Sequence, residues 1–397
     1  MRPVPGAPSA RSGSVLEPRL SYGRHAVSAA DAAAVQRVLE SDWLTQGPAV
    51  HRFEEQLARR CGAAFAVCTA NGTAALHVAL RAAGVGPGAL VVTSAVTFLA
   101  SATSALMCGA EVEFVDVDAE SSNMDLDILE ARCARGGVDA VVAVHFAGLP
   151  CDMQRLVELK RRHGFALIED ACHALGARYA CHGRDFATGG HPEVDATVFS
   201  FHPVKHVTTG EGGAVLGHDA AFGARVRRLC EHGVDRASGL LPFSDSAGSP
   251  PWFAPMLELG FNYRLSELGA ALGSSQLAAL DERLARRREL AERYAAQIEG
   301  FDLPRHDPGH AWHLYVLHER EGRRDELMAH LRERGIDAQV HYYPVPMQPF
   351  FRARYGEPCV PRAERHARTC LSLPLYDGLA TADQRRVIEA LEEWRRA

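Results

Sequence analysis

Short apolar segments alternate with helical segments over the first two thirds of the chain. The pattern predicts helices near 28–41, 51–61, 74–83, 99–108, 125–134 and 152–163, and apolar strands at 64–68, 90–93, 111–116, 140–144, 166–170 and 196–200. Continuously apolar strands separated by helices are typical of a mostly parallel sheet that is buried on both faces. We therefore predict an α/β protein in which ligands bind at the carboxyl ends of the strands. A further strand at 211–216 is predicted to be antiparallel, because it follows the preceding strand so closely.

The pattern changes near residue 266. A long Ala/Leu/Arg helix is predicted at 266–298, followed by strands at 312–318 and 337–342 and by helices at 324–334 and 382–395. A chain of 397 residues exceeds the size at which one core stops growing. We predict a large domain at 21–265 and a smaller α+β domain at 266–397, preceded by a disordered extension at 1–20 that is rich in Pro, Gly, Ser and Arg.

Composition narrows the function classes. The net charge is -6, whereas nucleic-acid-binding proteins carry a clustered excess of basic residues, so nucleic-acid binding is not expected. The uncharged stretch 89–110 contains six Ser and Thr residues and is interpreted as strand, loop and helix, so no membrane span is predicted. Ten irregularly spaced cysteines without a signal peptide favour reduced thiols in the cytoplasm. The pairs 172–173 and 181–182 are Cys-His, but not at zinc-site spacing, and no metal is predicted.

Lys205 is the strongest candidate for chemistry. Only two of the 43 Lys and Arg residues are lysine, namely Lys160 and Lys205. Arginine stays protonated, whereas lysine can be deprotonated and can form a Schiff base. Lys160 lies in a charged helix run, but Lys205 follows the predicted strand 196–200, where an active site is expected. A surface lysine is the alternative, and we favour the catalytic interpretation.

Two further segments extend this hypothesis to pyridoxal phosphate. Asp170 ends the strand 166–170, where a carboxylate can pair with a protonated pyridine nitrogen; a cap for a helix at 171–176 is the alternative. Gly72 and Thr73 begin the helix near residue 74, where backbone N–H groups and the helix dipole attract phosphate, although many such turns bind nothing. Ser200, at the end of the predicted strand 196–200, can add a hydroxyl group to the same phosphate site.

Two aromatic side chains are weaker candidates. Phe98 follows a strand and can lie over a pyridine ring, but core packing explains it equally well. His173 can bond the phenolic oxygen of the cofactor, and the alternative is a histidine that only supports its neighbours.

These residues stand within motifs that resemble the DegT/DnrJ/EryC1/StrS sugar aminotransferases, which are pyridoxal phosphate enzymes of fold type I. The resemblance runs from Tyr22 to the C-terminus. Its motifs are WLTQGP at 43–48, NGTAALH at 71–77, EDACH at 169–173, SFHPVK at 200–205 and GFNYRL at 260–265. The segment 181–192 has no obvious counterpart in the family.

The resemblance implies a role for each candidate. Lys205 is expected to form the Schiff base with the cofactor and to move the substrate proton. Asp170 is expected to pair with the pyridine nitrogen and Phe98 to stack on the ring, while Gly72, Thr73 and Ser200 bind the phosphate. Asn262 is expected to reach the phosphate of the neighbouring subunit, which implies a homodimer with shared active sites. Some relatives carry His at the lysine position and act as dehydratases, whereas this chain has Lys205.

The resemblance also implies substrates, namely L-glutamate and a nucleotide-linked keto sugar. Three segments look most like those of enzymes that aminate carbon 4 of a UDP-linked 4-keto-6-deoxy N-acetyl sugar on the route to pseudaminic acid. They are HFAGLPCDM at 145–153, the segment 200–213 and VHYYPV at 340–345. Alternative acceptors are a dTDP-linked 3- or 4-keto sugar and a cyclitol ketone. A pyridoxal phosphate-binding regulator without turnover is the alternative from another class.

Overall fold

The computed structural model describes residues 19–236, 238–243 and 248–396. Eleven strands lie in this part of the chain: β1 (Phe65–Thr69), β2 (Leu90–Ser94), β3 (Glu111–Val115), β4 (Ala140–Val144), β5 (Ala166–Asp170), β6 (Arg178–Cys181), β7 (Arg184–Ala187), β8 (Ala196–Ser200), β9 (Gly213–Gly217), β10 (Tyr315–His318) and β11 (Cys370–Leu373). The α-helices are α1 (Ala29–Leu39), α2 (Pro48–Cys61), α3 (Gly72–Ala82), α4 (Ala100–Met107), α5 (Leu126–Cys133), α6 (Met153–His163), α7 (Ala220–Cys230), α8 (Glu267–Ala278), α9 (Leu280–Gln297), α10 (Arg324–Glu333), α11 (Pro349–Tyr355), α12 (Pro361–Thr369) and α13 (Thr381–Arg396).

Seven strands form one sheet in the order β1-β9-β8-β5-β4-β2-β3. The pairs β2-β3, β2-β4, β4-β5 and β5-β8 are parallel, and β9 runs antiparallel to both β1 and β8. The predicted α/β class, the mostly parallel sheet and its antiparallel strand are therefore confirmed. Since β1 and β8 run in the same direction as the other parallel strands, six carboxyl ends meet at one edge of the sheet.

Helices cover both faces of this sheet. Side chains of alternate strand residues pack with α3, α4 and α7 on one face, and with α2, α5, α6 and α8 on the other. Successive residues of a strand point to opposite faces, so a strand buried on both sides needs apolar residues at nearly every position. This is the reason that the apolar runs in the sequence predicted the strands correctly.

The C-terminal third forms its own apolar cluster from α9, α10, α13, β10 and β11. Leu20 joins this cluster, and its backbone pairs with Ile336. Arg19 is also described and pairs with Asp337, and the rest of the predicted extension, 1–18, lies outside the described residues. The domain boundary at 266 stays a prediction, and α8 packs against α1 and α2 in the N-terminal part.

Several elements differ from the prediction. The helix predicted at 266–298 is two helices, because the chain turns at Ala279, so that α8 packs with α2 and α9 packs in the C-terminal cluster. The strand predicted at 337–342 is wrong, since only Gln339 forms a bridge, with Ser372 of β11. Half of the segment 181–192 belongs to the hairpin β6-β7, whose turn places His182 at φ 49° and Gly183 at φ 74°.

Among the described residues, we find no helix that is both long and apolar enough to cross a bilayer.

Candidate active site

A cavity of about 440 Å³ opens at the carboxyl edge of the sheet. Seven of the eight predicted site residues line it: Gly72, Thr73, Phe98, Asp170, His173, Ser200 and Lys205. They come from four different segments of the chain, and the parallel strands bring them together. Asn262, the eighth, is not among the lining residues; it is exposed, and its backbone bridges to Glu231.

One end of the cavity is the start of α3. The Asn71 side chain caps this helix by accepting a hydrogen bond of 2.8 Å from the Ala74 N–H. No hydrogen bond among the described residues engages the N–H groups of Gly72 and Thr73, which are free to bind an anion. Ser200 lies beside them, because Gly213 pairs with both Thr69 and Ser200 across the sheet.

Two glycines keep this end of the cavity narrow and the backbone accessible. A Cβ atom on Gly72 would lie 3.0 Å from the Cβ and 3.3 Å from the Oγ of Ser200. A Cβ atom on Gly213 would lie 2.6 Å from the carbonyl of Asn71. A side chain at either position would therefore displace the turn or the serine that forms the anion site.

Asp170 points into the cavity from the last position of β5. Its Oδ2 accepts a hydrogen bond of 2.6 Å from Ser101, and its Oδ1 accepts one of 3.3 Å from the Cys172 N–H. Residues 171–176 form turns and not a helix, so Asp170 does not cap one. The carboxylate is 5% exposed and, among the described residues, forms no ion pair within 4.0 Å, so it fits a cationic ligand group.

Glu169 points to the opposite face, so it does not compete for this role. It is fully buried and accepts hydrogen bonds from the hydroxyl groups of Tyr179 and Thr197, and from the Gly189 N–H. The two adjacent carboxylates therefore do different work, one in the cavity and one in the packing between β5, β8 and the β6-β7 hairpin.

The Lys205 amine lies in the cavity among histidines. Its Nζ lies 3.5 Å from the Nε2 of His313. Burial lowers the pKa of Lys205 below its usual value, and Cys172 and Asp170 act in the opposite direction. A lowered pKa increases the fraction of neutral amine, which is the form that attacks a carbonyl group.

His173 and Phe98 lie at different depths. His173 is buried, its Nε2 is 3.1 Å from the Tyr342 hydroxyl, and its Nδ1 is one of the buried atoms without a partner among the described residues. Burial, followed by the charge of Lys205, lowers the pKa of His173 well below its usual value, so the ring is neutral. Phe98 is 57% exposed, with its ring centroid 6.2 Å from that of Tyr342. Phe98 is thus not a core residue.

The sequence interpretation missed Ser101, His313 and Tyr342. All three lie within helices or connections of ordinary composition, and His313 and Tyr342 are more than 100 positions from Lys205. No local pattern marks His313, because only the packing of the C-terminal third against the sheet edge brings it to the cavity. Tyr342 lies in the segment 340–345 that resembles the family, but no role was predicted for it. Ser101 lies on α4 and acts on the site through its hydrogen bond to Asp170.

A second cavity, of about 630 Å³, lies between residues 117–122, 302–320 and 362–369. Two of its arginines are paired with carboxylates, Arg320 with Asp302 and Arg362 with Asp125. No predicted site residue lines it, so the smaller cavity is the candidate active site.

The smaller cavity fits pyridoxal phosphate on three counts. Unpaired N–H groups at the start of α3 suit the phosphate, the buried carboxylate of Asp170 suits a protonated ring nitrogen, and the Lys205 amine suits the aldehyde. These three protein groups lie at the carboxyl edge of a seven-stranded sheet, and together with this sheet they define a pyridoxal phosphate-dependent transferase of fold type I. More narrowly, the chain belongs to the DegT/DnrJ/EryC1/StrS aminotransferase family, which matches residues 26–392.

Solved structures agree with this membership. PseC from Helicobacter pylori, an aminotransferase of pseudaminic acid biosynthesis, is 26% identical with a TM-score of 0.84, covering 94% of this chain and 98% of PseC. DesV from S. venezuelae, solved with a ketimine intermediate, is 34% identical with a TM-score of 0.84, covering 96% of this chain and 100% of DesV. Spr1654 from Streptococcus pneumoniae in its PLP form is 26% identical with a TM-score of 0.84, covering 94% and 98%. The predicted sugar aminotransferase class and pyridoxal phosphate cofactor are confirmed.

Proposed function

We propose that this chain transfers the amino group of L-glutamate to carbon 4 of a nucleotide-linked 4-keto-6-deoxy sugar, namely UDP-4-keto-6-deoxy-N-acetylhexosamine. The observation that carries the proposal is the convergence of Lys205, Asp170 and the open start of α3 in one cavity. Each group alone has a structural explanation, but together they match the three functional groups of the cofactor.

The cofactor supplies an electron sink for the carbanion that transamination requires. Gly72, Thr73 and Ser200 would hold its phosphate, and Phe98 would lie against its ring. Asp170, held by Ser101, would pair with the protonated ring nitrogen. His173 would offer a ring nitrogen to the phenolic oxygen. Lys205 would supply the amine that anchors the aldehyde, and its Nζ is the group placed to carry the substrate proton.

Replacement of Lys205 tests this assignment. Lys205→Ala is expected to abolish both halves of the reaction and the absorbance of the bound cofactor, because no amine remains in the cavity. The matched control is Lys160→Ala, since Lys160 pairs with Asp195 on the surface of α6. Full turnover in Lys205→Ala would contradict the proposal.

The acceptor sugar is proposed from the segments around the cavity. Residues 200–205 and 340–345 contribute Ser200, His202, Lys205, His341 and Tyr342 to its wall. Similarity to PseC, an aminotransferase of pseudaminic acid biosynthesis, supports a sugar of that pathway as the acceptor. The chain is more identical to DesV, at 34% against 26%, so a dTDP-linked 3- or 4-keto sugar or a cyclitol ketone is kept as the second candidate.

A panel of keto acceptors distinguishes these candidates. The purified protein is supplied with glutamate and, in separate reactions, with a UDP-linked 4-keto-6-deoxy N-acetyl sugar, dTDP-linked 3- and 4-keto sugars, and a cyclitol ketone. We expect the UDP-linked product, detected by its mass, at the highest kcat/KM. A higher kcat/KM for a dTDP sugar overturns the choice of acceptor and leaves the aminotransferase assignment intact.

Loss of the cofactor absorbance on adding glutamate distinguishes the enzyme from a regulator that only binds the cofactor. A regulator without turnover retains the absorbance, because it does not convert the aldehyde to the amine. We expect a stoichiometric loss, followed by recovery when 2-oxoglutarate is added.

The proposed assembly is a homodimer with shared active sites. Large apolar side chains are exposed on both sides of Pro250, namely Leu240, Leu241, Phe243, Trp252, Met256, Leu257 and Leu259. Such clustering on a surface is typical of an interface. Asn262 follows this segment, is exposed and does not line the cavity of its own chain, which suits contact with a second copy of the chain. The cytoplasmic location stays a prediction.

A further inference from the structure

The Lys205 amine has a polar neighbour that the cofactor chemistry outlined above does not use. His313 is 5% exposed, and its Nε2 lies 3.5 Å from the Lys205 Nζ. Its ring centroid lies 4.4 Å from that of His173, and the two ring planes are tilted by 41°. His313 comes from the connection before β10, whereas Asp170 comes from the end of β5.

The backbone of His313 is fixed by buried contacts. Its N–H donates to the Ala147 carbonyl at 2.9 Å, and its own carbonyl accepts from the Arg287 guanidinium at 3.3 Å. Arg287 is 2% exposed and also donates to the carbonyls of Trp312 and Leu375. Trp312 has φ 52° and Ala147 has φ 56°, conformations that non-glycine residues rarely adopt. A buried arginine and two unusual backbone conformations thus set the direction of one imidazole.

The charges of Lys205 and His313 decide which of their two nitrogen atoms donates the hydrogen bond. Burial, followed by the positive charge of Lys205, lowers the pKa of His313 well below its usual value, so the ring is neutral. When Lys205 is protonated, its Nζ must therefore be the donor and the Nε2 of His313 the acceptor.

We propose that His313 is a positioning residue for Lys205. Its Nε2 accepts a hydrogen bond from Nζ whenever the amine is not bound to the cofactor, and this bond holds the amine in the cavity for its next transfer. The proposal rests on the proposed function, since it assigns the released amine a fixed place during the reaction.

Other titratable groups also lie close to Lys205, so a test of His313 must use variants that leave these groups unchanged. Asp170 and Cys172 favour its charged form, and both belong to β5 or the turn that follows. His173, His206 and His341 also lie close enough for the charge of Lys205 to lower their pKa values. His206 donates from Nε2 to the Ala311 carbonyl at 2.8 Å, so its bonded nitrogen does not serve Lys205.

The low lysine content makes a direct measurement possible. Growth on lysine labelled with ¹³C at Cε places label at only two positions, Lys160 and Lys205. The Cε chemical shift follows protonation of the amine, so a pH titration of the full chain freed of cofactor gives the pKa of Lys205. Lys160, bonded to Asp195 and the Glu193 carbonyl, reports on folding in the same spectrum.

His313→Phe and His313→Leu remove the acceptor, whereas His313→Gln retains an amide oxygen that can accept. We expect the pKa of Lys205 to fall by about half to one unit in the first two variants and to stay near the wild-type value in the third, since one hydrogen bond to the ammonium is lost or kept. His330→Gln, on α10, is the control and is expected to change nothing.

A pKa of Lys205 that is unchanged in His313→Phe and His313→Leu overturns the proposal. An equal fall of this pKa in the Phe, Leu and Gln variants also overturns it, because His313 would then have only a structural role. Failure of the proposed function is seen separately. If the Lys205 Cε signal of the unmodified chain does not move when pyridoxal phosphate is added, the cofactor role is wrong, whatever the titration shows.

Discussion

At the residue scale, position along a strand decides what an acidic side chain does. Glu169 and Asp170 are neighbours in β5, but they point to opposite faces of the sheet. Glu169 has three hydrogen-bond donors within the packing, whereas Asp170 has two and faces the cavity. Glu169 also lies 3.6 Å from the Nε2 of His145, whereas no cationic side chain of the described residues lies within 4.0 Å of Asp170, which is the carboxylate placed to hold a cationic ligand group.

Asp170→Asn tests this placement. The amide cannot stabilise a protonated ring nitrogen, and loss of one partner of a buried charge pair costs about 3 kcal/mol or more. We expect kcat to fall at least about a hundredfold while the cofactor absorbance is retained through Lys205. Ser101→Ala, which removes the hydrogen bonds of the serine hydroxyl to Asp170 and Thr97 but keeps the carboxylate, is expected to cause a smaller loss. A greater loss in Ser101→Ala than in Asp170→Asn would contradict the assignment.

At the element scale, the start of α3 combines a stabilising helix cap with the proposed phosphate site. The Asn71 cap satisfies the Ala74 N–H and leaves the N–H groups of Gly72 and Thr73 open. The same helix is buried along nearly its whole length, which fixes the anion site relative to the sheet.

Asn71→Ala is expected to reduce the free energy of unfolding by about 1 kcal/mol and also to weaken cofactor binding, because the first turn of α3 loses its cap. Asp219→Ala is the matched control. Asp219 caps α7 by accepting from Ala221 and Phe222, away from the cavity. We expect a similar loss of stability in urea unfolding but unchanged cofactor affinity. Equal loss of cofactor affinity in both variants would show that α3 has no special role.

The sequence predicted the sheet better than the C-terminal third, and for a physical reason. Strands buried on both faces must be apolar throughout, which the chain displays at 140–144 and 196–200. β11 and α12 were not predicted and 337–342 was predicted wrongly, because these short segments depend on tertiary contacts, such as Gln339 with Ser372. In the cavity, strand-end positions revealed Asp170 and Ser200, but no local signal revealed His313.

At the scale of the whole molecule, buried histidines make stability depend on pH. Burial is the first cause that lowers the pKa of His341 to about 4, and of His310 and His366 to about 3. In the unfolded chain these rings protonate near their ordinary value of about 6.5. As the pH falls below that value, the unfolded state binds more protons than the folded state, and stability decreases.

We expect each of these histidines to lower the free energy of unfolding by about 1 kcal/mol between about pH 7 and about pH 5.5. Urea unfolding at a series of pH values measures the slope. His366→Gln is expected to make the slope shallower, whereas His25→Gln, at an exposed position, leaves it unchanged. Stability that is constant over this range would contradict the prediction.

The proposed dimer is a second property of the whole molecule. Trp252 is 67% exposed in the apolar segment before Asn262. Trp252→Glu is expected to shift the protein from dimer to monomer in sedimentation velocity and to reduce activity, because a charge cannot be buried there without a partner. His25→Gln serves again as the surface control. A dimer of unchanged stability would exclude this segment from the interface.

The adjacent carboxylates of β5 also bear on folding fidelity. β5 lies between two parallel neighbours, and a slip by one residue would turn Glu169 toward the cavity and Asp170 into the packing. Such a chain would bury Asp170 in the packing and would lack the acid that we propose for the ring nitrogen. Tyr179, Thr197 and Gly189 can satisfy Glu169 only in the native alignment. A residue without a part in the chemistry thus selects the one strand alignment in which the chemistry is possible.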